Sequence, residues 1–162
     1  MKREKLMPEE GYVYHIKDTY FDFVKDEKLM RNKEGGQTRP TYCCIRKSGS
    51  ELIWFIPMST RIEKYKAIVN KNIERYGRCD SVIIANYSGY EVAFLLQNMF
   101  PVTEKYISHI HTVRGKPLKV STEAIREVKS KVKKIFELKS RGIKTIFPDV
   151  DKITKKLLSE RD

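Results

Sequence analysis

The sequence has no apolar run long enough to cross a membrane. Its longest continuous apolar stretches, such as residues 92–96, fall far short of the ~20 residues that a membrane-spanning helix needs. The first ten residues, MKREKLMPEE, carry charges that no apolar segment follows, so they do not resemble a signal peptide. The sequence therefore predicts a cytoplasmic protein with no membrane partner, in which residues 1–10 form a flexible arm.

Cysteine is scarce and odd in number. Cys43 and Cys44 lie within an apolar stretch and Cys79 stands apart from them, which indicates buried thiols in a reducing cytoplasm rather than a disulfide framework. No spacing of Cys and His is typical of a zinc site. His109 and His111 alternate, so on a strand both would face one side; they fit an acid–base pair or metal ligands, but such a pair is more often incidental.

Several signatures of catalysis are missing as well. There is no Gly-rich loop of the Walker type and no GxSxG motif, and the acidic residues are scattered, mostly beside lysines. A two-metal nuclease needs clustered carboxylates, so that class of enzyme is disfavoured. We expect neither a metal nor any other cofactor.

Basic residues, by contrast, are abundant. With 33 Lys and Arg against 21 Asp and Glu, the formal net charge is +12, which predicts a polyanionic partner, either a nucleic acid or an anionic membrane surface. Residues 114–144 hold eleven Lys and Arg against three Glu, and a second basic cluster lies in residues 61–75. A single lysine usually belongs to a solvated helix face, but two clusters on separate predicted helices favour a surface that follows phosphates.

The pattern along the chain predicts one α+β domain over residues 1–162. Residues 25–39 are expected to form a long exposed loop, and helical spacing predicts helices over residues 61–76, 121–142 and 148–158. Two segments are ambiguous: 19–24 fits a strand or a helical turn, and 90–102 fits two strands or a turn and a strand. Strands are predicted over residues 12–16, 40–47, 51–57, 81–87 and 105–113. These elements suggest a compact barrel or a strongly bent sheet as the core (11–113, including helix 61–76), followed by basic C-terminal helices (114–162).

The segment PMSTRIEKYK joins an apolar strand to a basic helix. Thr60 and Glu63 have the spacing of a capping box, with Thr60 as the cap. The same junction places backbone N–H groups at a helix N-terminus, where phosphate binds readily, beside Ser59, Arg61 and Lys64. The two interpretations are compatible, and the pattern alone favours a plain cap over a functional site.

RNA offers a metal-free route to its own cleavage. The 2′-OH attacks the adjacent phosphorus and leaves a 2′,3′-cyclic phosphate, while the protein removes a proton, stabilises the phosphorane and protonates the leaving oxygen. Hydroxyl, Arg and Lys side chains at one strand–helix junction provide the electrostatic part. The sequence does not identify the general base.

Three segments carry a family resemblance: KDEKLMRNKEGGQTRPTYCCI, FIPMSTRIEKYK and LLQNMFPV. Together they resemble the type III toxin–antitoxin endoribonucleases of the ToxN/AbiQ family, and its CptN branch in particular, over residues 12–158. The resemblance implies a highly curved antiparallel sheet or small barrel of the Kid/MazF, SH3-like type with surrounding helices. It also implies a metal-independent endoribonuclease of phage defence that cuts adenine-rich sequences. Such a toxin processes a repeat RNA antitoxin folded as a pseudoknot, is inhibited by it, and forms closed complexes in which RNA joins neighbouring subunits.

The resemblance implies site residues too. The family's catalytic pattern is a basic residue before the hairpin, a Thr–Ser pair after it and a nearby Lys, which correspond here to Arg39, to Ser59 and Thr60 in reversed order, and to Lys64. The family's Lys lies two residues after the pair, where this chain has Ile62. Gln97 and Asn98 are expected to read a base edge, and helix 121–142 to grip the antitoxin. The residues expected to contact RNA are Tyr20, Lys33, Arg61, Lys66, Gln97, Asn98, Arg114, Lys116, Lys129, Lys133 and Lys134.

Two other functions stay open at this point. A non-catalytic RNA- or DNA-binding module would explain the charge and the aromatic residues without chemistry, and would leave RNA intact after tight, salt-sensitive binding. A DNA-binding regulator with a basic recognition helix is the other, and the absence of a compact helix-turn-helix spacing counts against it.

Overall fold

The computed structural model describes residues 8–34 and 36–160. Within these ranges the α-helices are α1 (Asp18–Val24), α2 (Ile62–Tyr76), α3 (Thr122–Ser140) and α4 (Val150–Ser159). Short 3-10 turns occupy Leu96–Asn98 and Glu104–Tyr106. The strands are β1 (Val13–Ile16), β2 (Lys33–Glu34), β3 (Gln37–Thr38), β4 (Pro40–Arg46), β5 (Ile53–Ser59), β6 (Val82–Tyr87), β7 (Tyr90–Leu95), β8 (Phe100–Val102), β9 (Ile107–Ile110), β10 (Thr112–Val113) and β11 (Lys116–Pro117).

Seven strands form one antiparallel sheet in the order β6–β7–β5–β4–β1–β9, with β8 paired to β5. Strand β5 is shared, because its first half pairs with β8 while its last residues, Met58 and Ser59, pair with β7. The sheet is open in the described part of the chain, with β6 and β9 at its two ends, so the expected barrel does not close. The Kid/MazF type of sheet stays a prediction.

Helices cover both faces of this sheet. Neighbouring residues of a strand pack on opposite faces of the sheet. Val13 of β1 and Ile56 of β5 pack against the apolar side of α3. Tyr14 of β1 and Phe55 of β5 pack against α1 and α4. This is what strand alternation requires when both faces are buried. The apolar runs predicted as buried strands are therefore the central layer.

Side chains cap the N-termini of both C-terminal helices. Ser121 Oγ accepts a hydrogen bond from the Ala124 N–H at 3.2 Å, and Asp149 Oδ1 accepts one from the Lys152 N–H at 3.1 Å. Each cap satisfies a backbone donor that the first helical turn leaves unpaired. The predicted helices over 121–142 and 148–158 are confirmed, within two residues at each end.

Residues 25–39 differ from the prediction of an exposed loop. The segment contains the β2–β3 hairpin, and it buries Asn32 and Arg39 at its end. The Asn32 side-chain N–H₂ group donates to the Ile16 carbonyl at 2.8 Å, which attaches the segment to the end of β1. The segment is therefore ordered despite its polar composition, because side-chain hydrogen bonds to the backbone hold it in place.

Two further features of the described residues concern the cysteines and the apolar character of the helices. Cys43, Cys44 and Cys79 are all free thiols, and the first and last of them are buried. None of the described helices combines the length and the apolar character that a membrane crossing requires. Most of the predicted flexible arm, residues 1–7, lies outside the described residues.

Candidate active site and nucleic-acid interface

The strand–helix junction after β5 is built differently from a capping box. Pairing of Ser59 with Ala93 extends β5 as far as Ser59, so the chain turns at Thr60 and the helix starts only at Ile62. The N-cap position belongs to Arg61, and no side chain caps the helix. Ser59 Oγ instead accepts the Arg61 N–H at 3.2 Å. The prediction of Thr60 as the cap is therefore wrong, and its exposed hydroxyl has no capping task.

Arg39 is anchored at the same end of β5. Its side chain is only 7% exposed, and its Nε–H donates to the Arg31 carbonyl at 2.9 Å. One Nη–H group donates to the carbonyl of Met58, the residue before Ser59, at 3.0 Å. The fold thus brings a buried guanidinium next to the Ser59–Thr60 pair, although 20 positions of sequence separate Arg39 from Ser59.

Lys64 lies in the first turns of α2, three residues after Arg61 and on the same side of the helix. Its Nζ is 5.3 Å from the ring centroid of the buried Tyr65, in a cation–π contact. The half-buried Ile62 occupies the position where the family pattern has a Lys. Lys64 is therefore exposed near the junction, but its ammonium group is directed along the helix surface.

The four predicted catalytic residues suit a phosphate rather than a proton transfer. A guanidinium, an exposed ammonium and hydroxyl groups at a helix N-terminus stabilise negative charge on phosphate oxygens. At neutral pH, Arg and Lys are ordinarily cations and Ser and Thr hydroxyls are not ionised. The group that removes the proton from the 2′-OH is thus to be sought elsewhere.

Two of the predicted RNA contacts, Tyr20 and Asn98, are buried. Tyr20 has no exposed surface, and its hydroxyl donates to the Pro101 carbonyl at 2.8 Å inside the cluster between the sheet and α1. It cannot stack on a base, and the prediction for this residue is wrong. Asn98 is also buried, with its amide donating to the Lys28 carbonyl at 3.3 Å. Its neighbour Gln97 is half-buried and is the more accessible of the two amides.

The other predicted contacts are spread over the surface. Lys33 forms an ion pair with Asp18 at 3.3 Å, and Lys66 forms one with Glu91 at 2.7 Å. Arg114 and Lys116 are exposed in the β10–β11 hairpin. Arg114 adopts a φ of 53° there, followed by Gly115 at 80°, as in the two-residue turns that match the twist of a hairpin.

A groove between the β4–β5 hairpin and α3 joins basic and aromatic residues. Trp54, the only tryptophan of the chain, meets the Phe136 ring edge-on with centroids 4.9 Å apart. The exposed Lys129 and Lys133 line the same groove, which has a volume of about 660 Å³. Among the described residues its lining includes three lysines and one glutamate. Aromatic rings beside lysines are what single-stranded RNA requires for stacking and phosphate contact.

Sequence reasoning missed Trp54 because it lies in the apolar run ELIWFIP, which reads as core. Its half-buried position becomes visible only when α3 is placed against β5. We call this feature the Trp54 groove. Lys134, predicted with Lys129 and Lys133, is half-buried and does not line it.

We expect the double substitution Lys129→Ala and Lys133→Ala to weaken binding of single-stranded RNA by about tenfold or more, because each lost phosphate contact removes counterion release. The slope of log K against log salt should fall by ~0.7 for each contact. Quenching of Trp54 fluorescence at several salt concentrations measures both. The exposed Lys152 and Lys155 on α4, replaced together, are a control with the same charge change. Equal losses in the two double variants would mean that the Trp54 groove is not an RNA site.

His15 is the other feature that the pattern did not reveal. The alternation of His109 and His111 suggests one shared face, and the structure adds His15 from β1 to them. No group of three or more His, Cys, Asp or Glu side chains in the described part of the chain is arranged to hold a metal ion. The His15 ring instead contacts the other two imidazoles directly.

Comparison with solved structures finds nine chains of matching fold, and two proteins illustrate the likeness. One is AbiQ, a lactococcal anti-phage endoribonuclease belonging to the type III toxin–antitoxin system, with a TM-score of 0.67 and 17% identity over 93% of this chain and 98% of that one. The other belongs to a bacterial antiviral system that a processed non-coding RNA regulates, with a TM-score of 0.65 and 13% identity over 93% and 99% of the two chains. No family profile and no curated protein matches the sequence. At this identity the likeness establishes a shared fold.

Proposed function

We propose that this chain is the endoribonuclease toxin of a type III toxin–antitoxin system. The observation that carries the proposal is the fold shared with AbiQ over nearly the whole length of both chains. The proposal assigns to this chain the activity for which AbiQ is known, and it agrees with the resemblance of the KDEKLMRNKEGGQTRPTYCCI, FIPMSTRIEKYK and LLQNMFPV segments to that family.

The strand–helix junction supports the proposal chemically. Arg39 is held through the Met58 carbonyl beside the buried Ser59 and the exposed Thr60. In the proposed reaction the 2′-OH attacks the adjacent phosphorus, and a 2′,3′-cyclic phosphate is left. Thr60 positions the 2′-OH or the phosphate, and Arg39, Ser59 and Lys64 stabilise the phosphorane.

RNA is also the proposed partner outside the reaction. We place the antitoxin, a repeat RNA folded as a pseudoknot, along α3 and the Trp54 groove. The chain cuts this RNA from its precursor and is then inhibited by it, in a closed assembly in which RNA joins neighbouring subunits. The protein of similar fold from an RNA-regulated antiviral system supports an RNA partner.

The test uses purified protein freed of nucleic acid in high salt and mixed with total bacterial RNA in EDTA. Sequencing of the new ends is expected to find specific cuts that leave 2′,3′-cyclic phosphates. Cuts that appear only when a divalent metal is added would contradict metal independence. Intact RNA that remains bound to the protein would identify a non-catalytic binding module instead.

A further inference from the structure

All three histidines of the chain meet at one edge of the sheet. His15 on β1 lies opposite His109 on β9, and their rings stack with centroids 4.5 Å apart and planes 14° apart. The ring of His111, just after β9, has its centroid 5.0 Å from that of His15. The His111 backbone N–H donates to the Val13 carbonyl at 2.8 Å, which fixes this residue beside β1.

Hydrogen bonds link these rings into a chain. Thr38 Oγ1 lies 2.7 Å from His15 Nδ1, and His15 Nε2 lies 2.8 Å from His111 Nδ1. Two directions of donation satisfy these contacts. In one of them, His111 Nδ1–H donates to His15 Nε2 and His15 Nδ1–H donates to Thr38, and this tautomer leaves His111 Nε2 as an acceptor. This is how a general base is commonly oriented, with its second nitrogen held by another group.

The surroundings of His15 and His111 favour the neutral form of both imidazoles. Burial is the main cause that lowers the pKa of His15 to about 4, and the nearby His109 and His111 add to it. The hydrogen bond with Thr38 acts in the opposite direction and raises this pKa. Burial, followed by His109, also lowers the pKa of His111. The Tyr87 ring is a further titratable neighbour, 6.3 Å from the His111 ring, and burial raises its pKa to about 12. At neutral pH His111 is therefore ready to accept a proton.

The rings open onto a polar depression of about 390 Å³, which we call the histidine depression. Its lining consists of His15, Gln37, Thr38, His109, Ile110, His111 and Thr112. The volume falls within the ~300–1,000 Å³ of typical small-ligand sites. The exposed Arg114 and Lys116 follow Thr112 in the next hairpin, so cations for a phosphodiester lie close along the chain.

The histidine depression and the strand–helix junction are joined by one dipeptide. Thr38 contacts His15, and the next residue, Arg39, donates to the Met58 carbonyl beside Ser59. Strand β4, which begins directly after this dipeptide, pairs with β1 on one side and β5 on the other. The Arg39 guanidinium and the Ser59 hydroxyl thus lie on one side of residues 38–39, and the imidazoles lie on the other.

We propose that the histidine depression supplies the acid–base groups of RNA cleavage, with His111 as general base and His109 as general acid. His15 and Thr38 are positioning residues that hold His111. The inference rests on the proposed function.

The 2′-O–H bond breaks as the 2′-O–P bond forms, and the proton passes to His111 Nε2. The P–O5′ bond then breaks, and O5′ takes the proton carried by His109. His111 is left protonated and His109 neutral, and exchange with water restores both.

The test measures cleavage between about pH 5 and pH 9 in EDTA, the range around ordinary histidine titration. The substrate is a synthetic RNA oligonucleotide that spans a cut site mapped in total RNA. We expect His111→Gln to lower the rate about 100-fold or more, as loss of a general base does, and to remove the fall in rate toward acid pH. Added imidazole should restore part of the rate in a His111→Gly variant. His109→Gln should lower the rate similarly and remove the fall toward basic pH.

The exposed position of His109 makes His109→Gln safe for folding, so the test does not depend on the half-buried His111 alone. Circular dichroism and Trp54-detected binding of the same oligonucleotide should be unchanged in both variants. Unaltered rates and pH profiles in both would overturn the inference while the protein remains an endoribonuclease. Lower rates with an unaltered pH profile and no rescue by imidazole would also overturn it. Intact RNA with the unaltered protein would instead refute the proposed function, and the inference with it.

Discussion

Replacement of Thr60 by alanine is expected to lower the rate of RNA cleavage by about 100-fold or more, the usual effect of removing one donor that stabilises a developing oxyanion. The Thr60 hydroxyl is exposed, caps no helix and lies at the end of β5 beside the anchored Arg39. Its removal should leave the free energy of unfolding within about 0.5 kcal/mol, as for other exposed side chains. Single-turnover cleavage of an RNA oligonucleotide and thermal unfolding measure the two effects.

Two variants give this experiment its controls. Thr60→Ser keeps the hydroxyl and should keep most of the activity, whereas Thr19→Ala removes another exposed threonine, from α1, and should change nothing. A Thr60→Ala protein that cuts at the unaltered rate would remove Thr60 from the site. If instead Thr60→Ala loses stability but not activity, the residue serves the turn between β5 and α2 alone.

Local pattern accounts for much of the fold. Apolar runs around the SGS segment place the β4–β5 hairpin, and the 3.6-residue period with Ser121 and Asp149 as caps places α3 and α4. These signals are local because each strand or helix carries its own spacing and caps. The expected closure of the sheet is not local, since it depends on whether β6 and β9 meet, and in the described strands they lie at opposite ends.

The exact start of α2 also depends on distant residues. Thr60 and Glu63 satisfy the spacing of a capping box, but pairing of Ser59 with Ala93 extends the strand and moves the helix start to Ile62. A contact 34 positions away along the chain thus overrides a local propensity. The apolar spacing of α2 likewise does not tell which of its residues are buried. Tyr76 is exposed, because the apolar stripe of α2 continues beyond the part that β6 and β7 cover.

The candidate site is predictable only in part for the same reason. Ser59 and Thr60 are neighbours in sequence, whereas Arg39 is assigned to the same site only by the family resemblance. Aromatic residues give no such guidance, since a core ring and a stacking ring look alike in sequence: Tyr20 is buried, whereas Trp54 is partly open. His15 carries no signal of its own, because its partners lie 94 and 96 positions later.

Arg39→Ala is expected to destabilise the protein by about 3 kcal/mol, because hydrogen bonds from a charged donor contribute about 1.5–3 kcal/mol each and two backbone carbonyls lose theirs. These carbonyls, of Arg31 and Met58, belong to segments that the guanidinium joins. For a chain of this length the loss corresponds to a fall in melting temperature of roughly 6–12 °C. Cleavage measured well below that temperature should still fall about 100-fold, since the phosphorane loses a fixed cation. Thermal unfolding and single-turnover kinetics separate the two effects.

Arg39→Lys distinguishes the charge of this residue from its fork of donors. One ammonium group does not reproduce the planar fork that reaches both carbonyls, so the variant should recover part of the cleavage rate while staying less stable than the unaltered protein. Arg141→Ala is the matched control: Arg141 is exposed and its contact with Glu137, at 3.3 Å, is a surface pair of little energetic weight. If Arg39→Ala unfolds at the same temperature as Arg141→Ala, Arg39 does not anchor the end of β5. If a folded Arg39→Ala protein cuts RNA at the unaltered rate, the guanidinium holds the structure together and takes no part in the chemistry.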